Sequence, residues 1–475
     1  MIGDLGMKQF SAMWFFPLWL ASLACGVGLL SFAGLPWLGT IFFPLGYIAV
    51  LCALLTTIHV WHDWLNPLSL IIFVGFVRFT IPGIWIWFTE ADMRISDVPI
   101  FRIMGLGSEQ WMHGHMLALL GLLGVTIGWL MLGHTDESRV FQMYKRSRPY
   151  LSGGIAYSAV VGVFLGLVSL FIFVQSNVSI TEAVDSGAFR ATQVQQGTGK
   201  YFYLSFMLIS SSVILTDYFF SRKHAWWLSL APVTVAMVAF FVLGGRMRSL
   251  TSMTAGLLVL RAWRSNAKLS PAAILGLVSI IVLLSMFFFV GGVYRGGAGL
   301  AGVSQILSLA AILEYSQQAV LIEYGQLQAL AGAAAMDPGV LRGSTFLELL
   351  WPLTKLFDFG GKSAGVFIVQ ELVGLGDRKW GFHATLIGDA YLNFGLIGVI
   401  VVTIIFAMIL KIIYMGFRER AIGNALYALA LVYSLRMFFE SIEKYGEALA
   451  ILAFAYVIFY IGEIFSRMAR GKASP

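Results

Sequence analysis

Charge is scarce in this 475-residue chain. Asp, Glu, Lys and Arg make up 12% of it, about half the roughly 25% of a soluble domain. That shortage excludes an ordinary water-facing globule. Cysteine is scarcer still: Cys25 and Cys52 are the only two, both inside apolar runs, so a disulfide framework is excluded. Metal-ligand spacing is missing. His59 and His62 fall on the side read below as cytoplasmic, and His113 and His115 are too close in sequence to share one helix face. There is no Gly-x-Ser-x-Gly and no glycine-rich loop ending in Lys-Ser/Thr, so nothing supports a hydrolase or a nucleotidase. No low-complexity tract, linker or soluble domain interrupts the chain. The halves show no convincing repeat, which weakens an inverted-repeat transporter. The polar/apolar alternation of a membrane β-barrel is also absent.

What is present is apolar. Hydrophobic residues make up 59%, aromatics 15%, and the mean hydropathy is +0.84. Repeated apolar runs of about 18 residues or more mark spanning helices. The expected fold is all-α and polytopic, a single integral membrane domain over 1–475. Twelve spans are expected, at roughly 12–34, 38–58, 67–88, 114–133, 153–174, 201–220, 225–243, 246–261, 272–292, 383–410, 421–439 and 448–466. Ser22-Leu23-Ala24-Cys25 faintly resembles a lipoprotein cleavage site, but the apolar run continues past it, so the first helix is read as uncleaved.

Position explains the net charge of +7. Arg139, Lys145, Arg146 and Arg148 share one side with Arg222, Lys223, Arg261, Arg264 and Lys268, and with Lys411, Arg418, Arg420, Arg467, Arg470 and Lys472. The opposite short loops carry fewer. By the positive-inside rule both termini are cytoplasmic and the long 293–382 segment faces outward. That segment holds seven of the twenty-four acidic residues: Glu314, Glu323, Asp337, Glu348, Asp358, Glu371 and Asp377. Within it, 303–335 reads as an amphipathic helix ended by Asp337-Pro338-Gly339. A second short helix, 344–357, has Ser344 as N-cap. Such helices suit a bilayer surface or a lid over a cavity.

Candidate functional residues gather toward the outer side. Gly244-Gly245-Arg246-Met247-Arg248 puts two guanidinia where positive charge is disfavoured. The span they open reaches about 22 Å at 1.5 Å per residue, short of a core of about 30 Å, which recesses them. Paired arginines at a helix start suit a phosphate or pyrophosphate, and snorkelling to lipid headgroups is the plainer alternative. Arg78 lies inside a span and Arg436 near the outer end of another, where charges default to functional hypotheses. A local ion pair with Glu440, four residues on, is the competing reading for Arg436. Arg190, Arg295 and Arg342 are further candidates for the anion. Thr385, Asp389 and Asn393 form a polar stripe on an apolar helix, expected to face the bundle interior. His383, or one of Asp389, Glu371 and Glu348, could accept a hydroxyl proton, although a structural hydrogen bond explains Asp389 equally well.

The run Asp389-Ala390-Tyr391-Leu392-Asn393-Phe394-Gly395-Leu396-Ile397-Gly398-Val399 resembles the span-entry motif of Wzy-type O-antigen and oligosaccharide repeat-unit polymerases. Asn66-Pro67-Leu68 and the Gly-Gly-Arg before a short span look similar to the same family. The acid there is more often Glu; here it is Asp389. The related O-antigen ligases share the layout, and carry a functional His at about the place of His383. The resemblance implies a glycosyltransferase C-like fold and metal-independent sugar transfer needing no cofactor. It implies a periplasmic active face on the bacterial inner membrane, with undecaprenyl-pyrophosphate-linked glycans as donor and acceptor. Arg246 and Arg248 would hold the pyrophosphate, helped by Arg295 or Arg342. Membrane lipid, and a chain-length regulator protein, would be the partners, with no role for nucleic acid. A ligase acting on lipid A core, or a lipid-linked sugar flippase, are the alternatives.

Overall fold

The computed structural model describes residues 17–28, 30, 45–53, 55–56, 66–81, 106, 108–132, 151–177, 199–242, 246–263, 326–350, 364–373, 384–419, 424–442 and 444–471. Within these it is all-helical. Among the described residues, five helices are long and apolar enough to cross a bilayer: Glu109–Met131, Gly153–Ser176, Lys200–Ser221, Thr385–Met415 and Lys444–Ala469. The chain is a multi-pass helical membrane protein. Shorter apolar helices run over Pro17–Gly28, Pro67–Thr80, Trp226–Phe241 and Asn424–Phe439. Most described helix ends fall within a few residues of the expected spans, but the helix expected from 114 starts at Ser108, the one expected to end at 410 runs to Glu419, and the expected 201–220 span is interrupted at Phe206. The expected span at 272–292 lies outside the described residues.

The chain divides into two compact units. Unit 1 comprises Met1–Tyr144, Val320–Glu419 and Ser434–Gly446; unit 2 comprises Lys145–Ala319, Arg420–Tyr433 and Glu447–Pro475.

In unit 1, helix α1 (Pro67–Gly75) starts as its sequence dictates. Pro67 takes the first helical position and the Asn66 side-chain oxygen accepts from Leu68 N at 3.0 Å. A π-helical turn, Phe76–Thr80, follows and carries Arg78. Helix α2 (Ser108–Met131) is the centre of the unit. Its glycines are the reason. A Cβ at Gly121 would strike Ile387, one at Gly124 would strike Thr403, and one at Gly128 would strike the Ile404 backbone. Small residues at this spacing let membrane helices approach closely, where lipid gives apolar side chains no advantage. The partner is the long helix from Thr385 to Glu419. Lys411 on that helix donates to Trp129 O at 2.7 Å and sits over the Trp129 ring, so a cation meets the last carbonyls of α2.

Unit 2 is built on α3 (Gly153–Asn177), α4 (Gly199–Ser205), α5 (Met207–Ser221), α6 (Trp226–Val242) and α7 (Arg246–Trp263). Gly162 of α3 meets Ser211 and Gly166 meets the Leu208 backbone. Asp217 is buried and ties three segments together. Its Oδ1 accepts from Trp263 Nε1 at 2.7 Å and Asn424 Nδ2 at 3.3 Å, and its Oδ2 accepts from Ala425 N at 3.1 Å. A carboxylate placed at a helix N-terminus both caps it and meets its dipole. Helix α7 carries three arginines and four hydroxylic residues in eighteen, and it is not among the apolar spans.

The segment expected to face outward, 293–382, departs from the sequence expectation where it is described. Of the amphipathic helix expected over 303–335, the described part is α8 (Leu327–Ala334). Every residue from Leu327 to Ala333 is buried, Gln328 included. Gly114 of α2 lies against the Ala331 backbone. This piece is core rather than a surface helix, because Ala and Gly on all its faces allow contact all round. The expected stop is present: the helix ends at Ala334, and Gly339 follows with φ 77°. The second short helix appears as a 3₁₀ segment, Ser344–Leu350. Helix α9 (Ala364–Val373) follows, then α10 (Thr385–Glu419), α11 (Asn424–Phe439) and α12 (Lys444–Gly471). The last two contribute residues to both units.

Candidate functional site

The polar stripe on α10 is buried in unit 1, as its spacing requires: Thr385, Asp389 and Asn393 are all enclosed. Thr385 stands at φ 62°, a conformation that a β-branched residue rarely adopts and that costs about 1–3 kcal/mol. Two bonds hold it there. Its N–H donates to Glu440 O at 2.7 Å, and its Oγ1 accepts from Gly388 N at 3.1 Å, which caps α10. One turn on, Asp389 Oδ2 accepts from Ile442 N at 2.9 Å. The start of α10 is thus docked, through Thr385 and Asp389, on the turn between α11 and α12.

That turn carries a second polar element. Arg436 grips Glu440 with both arms of its fork, Nε to Oε1 and Nη2 to Oε2, each at 2.9 Å. Their side chains are 8% and 1% exposed. The local ion pair offered by the i, i+4 spacing is therefore formed and shut away from water. Arg78 lies over the Phe439 ring, 5.7 Å from its centroid. Three of the candidate residues, Arg78, Asp389 and Arg436, are brought together around the α11–α12 turn.

A third element was not legible in the sequence. Helix α10 is broken at Gly395, with φ 68° and ψ −162°, a conformation open only to glycine. The break frees backbone carbonyls inside an apolar helix, where each would be costly without a donor. The donors come from the 337–345 loop: Gly339 N to Tyr391 O at 3.1 Å and Leu341 N to Leu392 O at 2.8 Å. Asn393 closes the clamp. Its Nδ2 donates to Thr345 Oγ1 and to Asp389 O, each at 2.6 Å. To make these bonds the 337–345 loop turns sharply, with Gly339, Arg342 and Gly343 all at positive φ. Arg342 ends up exposed at its tip.

The remaining candidates fall elsewhere. Glu371 is exposed in the last turn of α9. Arg248 belongs to unit 2, where its Nη2 donates to Glu447 Oε1 at 2.8 Å and its guanidinium lies over Phe202 and Phe206. Arg190, Arg295 and His383, and the side chains of Arg246 and Glu348, lie outside the described residues. Among the described residues no three His, Cys, Asp or Glu side chains gather as metal ligands. Comparison with family models, with curated proteins and with solved structures gives no match to this chain.

Proposed function

We propose that this membrane protein polymerises undecaprenyl-pyrophosphate-linked oligosaccharide repeat units on the outer face of a bacterial inner membrane. One observation supports the reading above the rest. The 389–395 run that resembles the polymerase span-entry motif coincides with a buried carboxylate, a docked ion pair and a broken membrane helix. In the proposed reaction an acceptor sugar hydroxyl attacks the anomeric carbon of the donor. The bond to the pyrophosphate breaks, and undecaprenyl pyrophosphate leaves with the electron pair.

The hydroxyl proton passes to a base. Asp389 is fully enclosed with one oxygen committed to Ile442 N, so its role in this scheme is to position the α10 entry. The base is then His383, six residues before it, with the exposed Glu371 and with Glu348 as further candidates. Arg342, exposed on its clamped loop, is the unit 1 cation offered to the leaving pyrophosphate.

A second reading draws on the same helix. Discontinuous membrane helices are a recurring feature of transporter sites, so the Gly395 break also suits a flippase for lipid-linked sugar. Proteoliposomes loaded with a lipid-linked oligosaccharide separate the two, in chelator and without nucleotide. Lengthened lipid-linked glycan supports polymerisation. Movement between leaflets without lengthening supports transport. Transfer only when lipid A core is added identifies a ligase.

A further inference from the structure

The 337–345 loop and the C-terminal half of α10 compete for the same backbone acceptor. In an unbroken α-helix Leu392 O accepts from Leu396 N, four residues on. The turn at Gly395, φ 68° and ψ −162°, takes that N–H out of reach, and Leu341 N stands in its place at 2.8 Å. Gly339 N donates to Tyr391 O beside it at 3.1 Å. Side chains add to the grip. Thr345 N donates to Asn393 Oδ1 at 3.4 Å, and Asn393 Nδ2 donates to Thr345 Oγ1 at 2.6 Å. The Phe346 and Phe394 rings meet with centroids 5.1 Å apart, and Gly343 lies against the same Phe394 ring.

Docking also has costs. Arg342 is held at φ 47°, which a residue with a Cβ resists. Fixing the loop costs conformational entropy. A released loop regains both, and an unbroken α10 satisfies Leu392 O from within. Glycine at 395 accepts helical angles as well as the observed ones, so the same sequence serves either form.

We propose that α10 is a two-state helix and that residues 337–345 are its strap: docked on a helix broken at Gly395, or released from a helix that runs unbroken through it. One loop amide exchanges for one helix amide at Leu392 O. The two forms then differ by the Thr345 and Phe346 contacts on one side, and by loop ordering and the Arg342 turn on the other. Docking holds Arg342 at the α10 entry; release withdraws it and uncovers Asn393. The switch is a property of unit 1 whether or not that unit transfers sugar.

The test reads distance, not turnover. Full-length protein carrying Cys25→Ala and Cys52→Ala receives spin labels at Val340→Cys and Ile397→Cys, two exposed positions, one on the strap and one just past the break. Pulsed dipolar spectroscopy in nanodiscs separates the docked and released forms as short and long distances. Gly395→Ala penalises only the broken form and is expected to raise the released-to-docked ratio about tenfold. Thr345→Val removes the partner of Asn393 and is expected to shift the ratio the same way. Leu396→Pro acts in reverse. Proline lacks the N–H that an unbroken helix gives to Leu392 O, yet it suits the first position after a break. Added to Thr345→Val, it is expected to restore the docked distance. Should Gly395→Ala fail to fold, Thr345→Val with and without Leu396→Pro carries the test. Wild-type distances in folded Gly395→Ala overturn the proposal. So does a Thr345→Val, Leu396→Pro protein as released as Thr345→Val alone, because the strap would then leave without the helix closing.

Discussion

Removing Arg436 is expected to be among the costliest single changes in unit 1. The guanidinium makes two 2.9 Å contacts to Glu440, whose side chain is only 1% exposed. Arg436→Met leaves that carboxylate in place without its fork partner. Breaking a buried pair by removing one member costs about 3–5 kcal/mol, whereas replacing both by apolar groups of similar volume is often near neutral. Arg436→Met with Glu440→Leu should therefore recover much of the loss, giving a strongly non-additive double-mutant cycle. The chain supplies its own control. Arg467 and Glu463 have the same i, i+4 spacing, but at 3.4 Å and with side chains 77% and 45% exposed. Such an exposed pair is worth about 0–1 kcal/mol. Unfolding of the purified protein in mixed micelles with rising dodecyl sulfate gives the four free energies. An Arg436→Met loss no larger than that of Arg467→Met would refute the reasoning, because burial and bidentate geometry would then have made no difference.

Other expected outcomes follow from single positions. Gly395→Ala forces a side chain into φ 68°, ψ −162° and should destabilise by about 1–3 kcal/mol; micelle unfolding measures the loss, and protease cleavage within 337–345 reports release of the clamp. Gly128→Ala drives a methyl into the Ile404 backbone, whereas Gly26→Ala meets nothing within 4 Å. The first should lose about 1–3 kcal/mol, and the second should be neutral or gain up to about 1 kcal/mol from helix propensity. Asp217→Ala removes the acceptor for Trp263 Nε1, Asn424 Nδ2 and Ala425 N, at about 1–3 kcal/mol for each donor left buried without a partner; a shifted Trp263 emission should accompany the loss.

Much of this was legible where the signal is local. The Thr385, Asp389 and Asn393 stripe declared its burial through helical spacing, and the Arg436–Glu440 pair through i, i+4 placement. The Asn66-Pro67 start of α1 was equally plain. The rest depended on distant partners. Glycine within a membrane helix is ordinary, so Gly395 gave no sign of a break; the donors that make it tolerable, Gly339 and Leu341, lie about fifty residues earlier in the chain. Glu447, the partner of Arg248, lies 199 positions away. Nothing local marks Asp217, because donors to it come from the end of α7 and the start of α11. The 303–335 stretch reads as amphipathic because its apolar residues, Leu327 and Leu330 among them, recur at helical spacing, and that spacing does not reveal that the polar positions Gln326 and Gln328 are enclosed too. In the fold both are buried, and the close approach of Gly114 to Ala331 brings α2 against this stretch.

The central claim is that the α10 entry in unit 1 supports sugar transfer from a pyrophosphate-linked donor. The most direct measurement runs wild type and Asp389→Leu side by side on one batch of polyprenyl-pyrophosphate-linked oligosaccharide, with products resolved by length. Leucine keeps roughly the size of the side chain but removes the oxygen that accepts from Ile442 N. The account predicts a ladder of lengthened lipid-linked glycan from wild type and a reduction of at least about tenfold in the variant, with both proteins folded. Equal ladders from the two would contradict the role given to Asp389, and no ladder from folded wild type would contradict the polymerase reading itself.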